Sequence, residues 1–277
     1  MNKLIFCILF SCCFCWKAWG QTPIIIAHRG YVKGTSVQLL ENSIKDLSKL
    51  KSYGVQGVEF DIRKTADGKY IVLHDASISR TTEYEGKMNV KQMSLKEVKK
   101  YKLVSRKGNR RKEKIPTLEK YLKSLRRNKF LLMPHRKDIS INDLYSHIKN
   151  AKLLDNVILF ESSRNMDKAV TLYGNDKLKV LSGYAFKQLS DKELLSFERF
   201  LPNCYIDIDV SIYSKEYMER IISHGFGIAL ENLQGEQSAV TKEMIKDIGI
   251  LFTDFGNLYY RCCLLYTSPS PRDRSLS

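Results

Sequence analysis

Ile24-Ile25-Ile26-Ala27-His28-Arg29-Gly30, then Val58-Glu59-Phe60-Asp61-Ile62-Arg63, then Tyr70-Ile71-Val72-Leu73-His74-Asp75: three apolar runs follow one another within a single stretch, and each carries or ends on polar residues. The first run shows almost no alternation, the pattern of a strand buried on both faces in a parallel sheet. Glu59 and Asp61 stand at i and i+2, so both occupy one face of a strand whose other face presents Val58, Phe60 and Ile62. Like charges on a buried strand face repel unless a cation holds them together. Hard oxygen donors of this kind suit one divalent ion, Ca²⁺ or Mg²⁺. His28 and His74 take matched positions at the ends of their runs, where two imidazoles can share acid and base work near neutral pH. Arg29 can grip a phosphate through two parallel hydrogen bonds, which lysine cannot.

Working outward, Ser36 to Tyr53 carries Leu39, Leu40, Ile44, Leu47 and Leu50 at helical spacing, and Gly54 and Gly57 close it. Asp67-Gly68 marks a hairpin turn between the second and third runs. Ser94-Leu95-Lys96-Glu97 is a capping box before a short helix to Tyr101, and Pro116-Thr117-Leu118-Glu119 opens another, to about Arg127. Beyond it the beat is regular. Strands are expected at 130–133, 157–160, 179–184, 204–210, 227–230 and 249–253, with helices at 141–151, 166–173, 191–197, 215–224 and 242–248. Together with the Ile24 and Val58 runs these make eight strand-helix units, with no linker between them. That alternation leaves an open doubly wound sheet or a closed barrel. Eight units with polar strand ends favour the (β/α)8 TIM barrel, whose chemistry sits at the C-terminal face. Gly30-Tyr31-Val32-Lys33-Gly34 lacks the spacing of a dinucleotide-binding loop.

Neither end of the 277-residue chain reads as part of that fold. Residues 1–20 form a secretory leader: Lys3, an apolar stretch too short to span a bilayer, then Ala18-Trp19-Gly20. The body is therefore expected outside the cytoplasm, periplasmic or secreted. A lipid anchor at Cys12 is the alternative, because Leu9-Phe10-Ser11-Cys12 loosely resembles a lipobox. Residues 261–277, rich in Ser, Pro and Arg, look like translated adapter sequence and are set aside, which leaves 21–260 as the domain. Of seven cysteines, four lie in the leader and two at Cys262-Cys263. Cys204 alone remains, so no disulfide framework supports the fold despite export. The net charge is +16, concentrated in part between Arg106 and Lys114. Such a run reads as a solvated loop rather than a nucleic-acid site, and a basic balance suits an anionic, phosphate-bearing substrate.

His28-Arg29-Gly30, Glu41-Asn42-Ser43, Glu59-Phe60-Asp61, Thr65-Ala66-Asp67-Gly68, His74-Asp75, Arg80-Thr81-Thr82, Ile115-Pro116-Thr117-Leu118-Glu119 and Thr253-Asp254 together resemble the glycerophosphodiester phosphodiesterase family. The likeness runs from about Ile24 to Gly256 and is dense only in the first hundred residues. It implies a TIM barrel with a small insertion after the second strand unit, and metal-dependent hydrolysis of a small glycerophosphodiester to glycerol 3-phosphate and an alcohol. It implies no nucleic-acid partner and allows peripheral contact with a membrane. By motif match, His28 and His74 are the acid/base pair, Glu59 and Asp61 ligate the metal, and Arg29 contacts phosphate.

Two departures stand out. The family's next strand carries Glu-x-Lys, where this chain has Met133-Pro134-His135-Arg136-Lys137. Pro134 aligns with the Glu, His135 is a replacement ligand, and Arg136 stands in for the Lys. The alternative is a site with two protein carboxylates, completed by Glu41 and water. Ala229-Leu230-Glu231-Asn232 stands where the family has a Trp-Thr pair. Two further readings follow: a lyase giving a cyclic phosphate, or a degenerate, non-catalytic phosphate binder. Asp207 and Asp209 repeat the i, i+2 pattern and are expected at the barrel mouth, in hydrogen-bonding contact with substrate. His147 and His224, in helical contexts, are expected at the surface.

Overall fold

The computed structural model describes residues 22–33, 39–104, 113–233 and 240–255. The leader, the basic run from Arg106 to Lys112 and the tail lie outside the described residues. In chain order the elements are β1 (Ile24–Ala27), α1 (Ile44–Leu50), β2 (Gly57–Lys64), β3 (Tyr70–Val72), α2 (Leu95–Val98), α3 (Leu118–Arg127), β4 (Leu131–Arg136), α4 (Ile141–Asn150), β5 (Leu159–Glu161), α5 (Ser163–Tyr173), β6 (Lys179–Leu181), α6 (Asp191–Leu195), β7 (Cys204–Asp209), α7 (Lys215–Ser223), β8 (Gly227–Asn232), α8 (Lys242–Asp247) and β9 (Ile250–Thr253).

All strands but β3 run parallel around a closed path. β1 pairs with β2, β2 with β4, and the chain of pairs continues from β5 through β6, β7 and β8 to β9. Closure comes from β9 against β1, with Ile26 opposite Phe252. Between β4 and β5 the ladder narrows to the Leu132–Val157 bridge, where the Ile158 amide donates to the Leu132 carbonyl at 2.7 Å. The fold is the (β/α)8 barrel, and alternation along each strand builds two cores. Ile26, Met133, Ile158, Val180, Ala229 and Ile250 fill the barrel interior. Val58, Phe60, Leu132, Ile206, Ile228 and Leu251 face the helices.

The helices start where side chains accept the first free amides. Ser43, Ser94, Thr117, Ser140, Ser190, Ser214 and Thr241 each cap the helix that follows, and Ser94 and Ser190 complete the box with Glu97 and Glu193. One expected boundary moves. Of the helix read from Ser36, residues 36–38 lie outside the described residues, and α1 begins only after Ser43, because Asn42 takes φ +56° and turns the chain. Leu39 and Leu40 are buried ahead of that turn as loop residues, so their helical spacing reflected burial and not helix. β6 likewise stops at Leu181, short of Tyr184, and Gly183 with φ +93° carries the turn after it.

The insertion lies between β2 and α3. Its return strand β3 pairs antiparallel with β2, Ile62 opposite Val72. Behind it a separate small core gathers Ile71, Leu73, Ile78, Val90, Met93 and Leu103. This second core holds the β3 end, and with it His74, beside the barrel mouth.

Candidate active site

A cavity of about 370 Å³ opens at the C-terminal ends of the strands. His28, Arg29, Glu59, Asp61 and His74 all line it, together with Lys33, His135, Lys137, Glu231 and Asp254. The sequence reading thus names five side chains that the fold brings to one place.

β2 supplies the acidic floor. Glu59 and Asp61 are buried, and Glu59 accepts the Arg29 amide at 2.9 Å. That amide is aimed by a tight turn in which Arg29 itself has φ +53°, a left-handed conformation that costs a non-glycine residue energy. Gly30 continues the turn at φ +59°, and a Cβ there would lie 2.7 Å from the Tyr121 hydroxyl, so no larger residue fits.

The third member of the acidic group comes from β4. Ladder register sets Glu59 beside Met133, Phe60 beside Pro134, and Asp61 beside His135. Pro134 therefore shares the outward face of Phe60 and is no counterpart of a ligand. His135 faces inward, with Nδ1 3.2 Å from Asp61 Oδ1 and 3.9 Å from Glu59 Oε1. Arg136 also turns outward and makes a two-pronged pair with Glu161 of β5. The lysine that β4 leads to is Lys137, which lines the cavity with Nζ 3.4 Å from Asp61. The motif is thus His135-x-Lys137, one residue later than the sequence alignment set it. Glu41 is not in the group: Arg80 holds it at 2.7 and 2.9 Å, and Arg29 lies 3.5 Å from it.

Donor atoms of Glu59, Asp61 and His135 lie within 4.8 Å of one another. Neither buried oxygen of Asp61 accepts a hydrogen bond of good geometry. A buried carboxylate without well-placed hydrogen-bond donors is costly unless a cation serves it. Burial and the adjacent Asp61 push the Glu59 carboxyl well above its ordinary range. Asp61 is drawn below it, since His135, His74 and Lys137 outweigh the opposing effect of burial. The two oxyacids and one imidazole therefore suit a divalent metal ion.

Each of the two candidate acid/base histidines has its own aspartate. His28 Nδ1 meets Asp254 Oδ1 at 3.0 Å, just past β9, and the His28 ring stands edge-on to Phe252 at 5.2 Å. Lys33 holds the other Asp254 oxygen at 2.9 Å and helps keep that carboxyl below its usual range against the effect of burial. His74 Nδ1 meets Asp75 Oδ1 at 2.7 Å. Asp75 is gripped by Arg80 at 2.5 and 3.1 Å, and Arg80 by Glu41 on its far side. Arg63 clamps the His74 carbonyl at 2.7 and 3.0 Å. Burial lowers the His74 imidazole below its ordinary value, with Arg29 and Lys137 adding to the effect and Asp75 opposing it. Both rings are oriented so that Nε2 is the atom left for chemistry.

Sequence reasoning assigned no role to Asp75, Arg80 or Asp254, although all three stand in the quoted motifs, and passed over Lys33, Phe160 and Lys137. A polar residue directly after a parallel strand, as at Thr253-Asp254, was the available signal. Asp207 and Asp209 are buried in β7 and neither lines the cavity, although Asp209 is level in register with Glu231, which does. His147 and His224 lie away from the cavity, half-buried beside Glu119 and between Asp191 and Glu198.

Known proteins share this fold. A model of the Glycerophosphoryl diester phosphodiesterase family matches residues 28–193. A glycerophosphodiester phosphodiesterase of Caldanaerobacter subterraneus subsp. tengcongensis is 27% identical over 170 residues, spanning 61% of this chain and 60% of that relative's length. The glycerophosphoryl diester phosphodiesterase structure from Parabacteroides distasonis superposes with a TM-score of 0.73 at 18% identity, covering 91% of this chain and 89% of that one. An Oleispira antarctica phosphodiesterase, solved with the product sn-glycerol-3-phosphate, has a TM-score of 0.62 at 19% identity, covering 87% and 96% of the two chains.

Proposed function

The chain belongs to the glycerophosphoryl diester phosphodiesterase family, whose members are phosphoric diester hydrolases, and from that premise we propose that it hydrolyses small glycerophosphodiesters to glycerol 3-phosphate and an alcohol. One observation carries the reading: two histidines, each backed by an aspartate at 3.0 and 2.7 Å, line the same cavity as the Glu59–Asp61–His135 group.

Glu59, Asp61 and His135 would hold one divalent ion, with Ca²⁺ or Mg²⁺ favoured by the two carboxylates. When bound, such an ion supplies positive charge against the phosphoryl oxygens. Arg29 and Lys137 add fixed charge on the same wall and orient the phosphate. The His74 imidazole, kept neutral by its surroundings, takes the proton from the attacking water. The phosphorus–oxygen bond to the departing alcohol breaks, and His28 gives that oxygen its proton. Asp254 fixes the tautomer and the orientation of the His28 ring.

Release of glycerol 3-phosphate from glycerophosphocholine or glycerophosphoethanolamine tests the reading. Turnover abolished by EDTA and by His28→Ala is the expected result, and full turnover in His28→Ala rejects it. A cyclic phosphate in the phosphorus NMR spectrum would replace hydrolysis by lyase chemistry. The N-terminal leader supports export to the periplasm or medium, to be checked by fractionation of cells expressing the full chain.

A further inference from the structure

The wall opposite the acidic floor is built from β8 and β9, and it has a character of its own. Ladder register puts Glu231 beside Phe252 on one side and Asp209 on the other. Glu231 lines the cavity with Phe160 and Phe252, whose rings lie 6.1 Å apart at a tilt. One position deeper, Asp207 is 2% exposed, and its Oδ1 is buried without a hydrogen-bond partner. Asp207 and Glu231 share one face of the β7–β8 ladder, two residues apart in register, and act on each other's charge.

Burial first, then the Glu231 charge, drives the Asp207 carboxyl well above its usual range, and Glu231 is raised in turn by burial. Glu231 is the member of the pair that faces the cavity. The imidazoles of His28 and His135 and the carboxyl of Asp209 also act on Glu231. Glu231 therefore presents a half-buried carboxyl on the cavity wall, beside Phe252 in the ladder and with Phe160 in the same lining.

An anion there repels a phosphate and welcomes a cation. Carboxylate and aromatic faces together are the surroundings in which an ammonium group sheds water at least cost. We propose that Glu231, backed by Asp207, is the specificity-determining carboxylate of this site, and that it receives the ammonium end of the departing alcohol. This rests on the hydrolytic reading above for the orientation of the diester, with phosphate on the Arg29 side and leaving group toward β8.

The test uses the full chain and two diesters of similar size, glycerophosphoethanolamine and glycerophosphoglycerol, one with an ammonium and one with neutral hydroxyls. Wild-type kcat/KM should favour the ammonium diester by about tenfold or more. Glu231→Gln, nearly isosteric, should lower that ratio by about tenfold, and Glu231→Asp, which keeps the charge, should retain most of it. A wild-type ratio near one, or a ratio unchanged in Glu231→Gln, overturns the proposal and points to recognition of hydroxyls instead. Calorimetric titration of the same diesters reads the same ratio from Kd without turnover. Selective binding with no turnover would reject the hydrolytic reading and uphold the subsite; turnover without selectivity does the reverse.

Discussion

His135 Nδ1 stands 3.2 Å from Asp61 Oδ1, and the two residues are direct neighbours across the β2–β4 ladder. The imidazole is therefore delivered to the acidic floor by backbone register. A one-residue slip would bring Pro134 or Arg136 inward and leave the floor two-membered. The fold thus completes its ligand group with a side chain that differs in kind from the other two.

Metal binding should depend on that imidazole. His135→Ala is expected to weaken divalent-ion binding by about tenfold or more in a calorimetric titration. His135→Glu supplies a third carboxylate and should shift preference toward Ca²⁺ and Mg²⁺ over Mn²⁺ and Zn²⁺. Wild-type affinity in His135→Ala would remove the residue from the ligand set.

The two histidines should separate by leaving group. A nitrophenolate departs without a proton, whereas an alkoxide does not. His28→Ala should therefore lose about a hundredfold or more in kcat on an alkyl diester but far less on a nitrophenyl one. His74→Ala should lose on both, because the attacking water still needs a base. Equal losses on both substrates in both variants would show that the roles are not divided in this way.

Asp75 makes the acid limb of stability readable. Burial works to raise its carboxyl, but Arg80 and His74 bring it down to about 2. The unfolded value is about 3.9, so the shift is downward on folding. A carboxyl lowered in the fold stabilises fully above its unfolded value, and that contribution fades as pH falls through the folded value. Wild type and Asp75→Asn should therefore differ most in urea midpoint above about pH 4, and the gap should close toward about pH 2. A gap that is constant over that interval would mean that Asp75 acts by packing alone.

The strand-helix beat of the fold was legible because burial on both faces of a parallel strand leaves an unbroken apolar run, as in Ile24–Ala27 and Ile250–Phe252. The alternation within β2 exposed Glu59 and Asp61 in the same way. Register between strands distant in sequence left no such trace. Nothing in Met133-Pro134-His135-Arg136-Lys137 says which residues face inward until β4 is set against β2, and the reading consequently chose Arg136 where Lys137 belongs. Ser36 to Tyr53 misled for the opposite reason: Leu39 and Leu40 are buried, but a left-handed Asn42 separates them from the helix. The chain of Asp75, Arg80 and Glu41 joins loops brought together by the insertion, and pairing of that kind is tertiary.

At the end of the barrel remote from the site, Lys179 is wholly buried. Its ammonium donates to the carbonyls of Asn175 at 2.7 Å, Lys177 at 3.1 Å and Pro202 at 2.9 Å. Those carbonyls belong to the loops that lead into β6 and β7, so one side chain ties the feet of two strands. Lys179→Met keeps most of the volume and leaves three carbonyls without their donor. The expected cost is about 1–3 kcal/mol, a charged donor being lost from buried acceptors. For a chain of this length that corresponds to a fall in Tm of roughly 2–4 °C per kcal/mol. Because β6 presents this residue at the opposite face from His28 and His74, kcat/KM at a temperature where both proteins are folded should match the wild type. A variant that melts with the wild type would show that the loops hold their strands without the lysine, and one that loses activity while folded would tie the barrel's foot to its mouth.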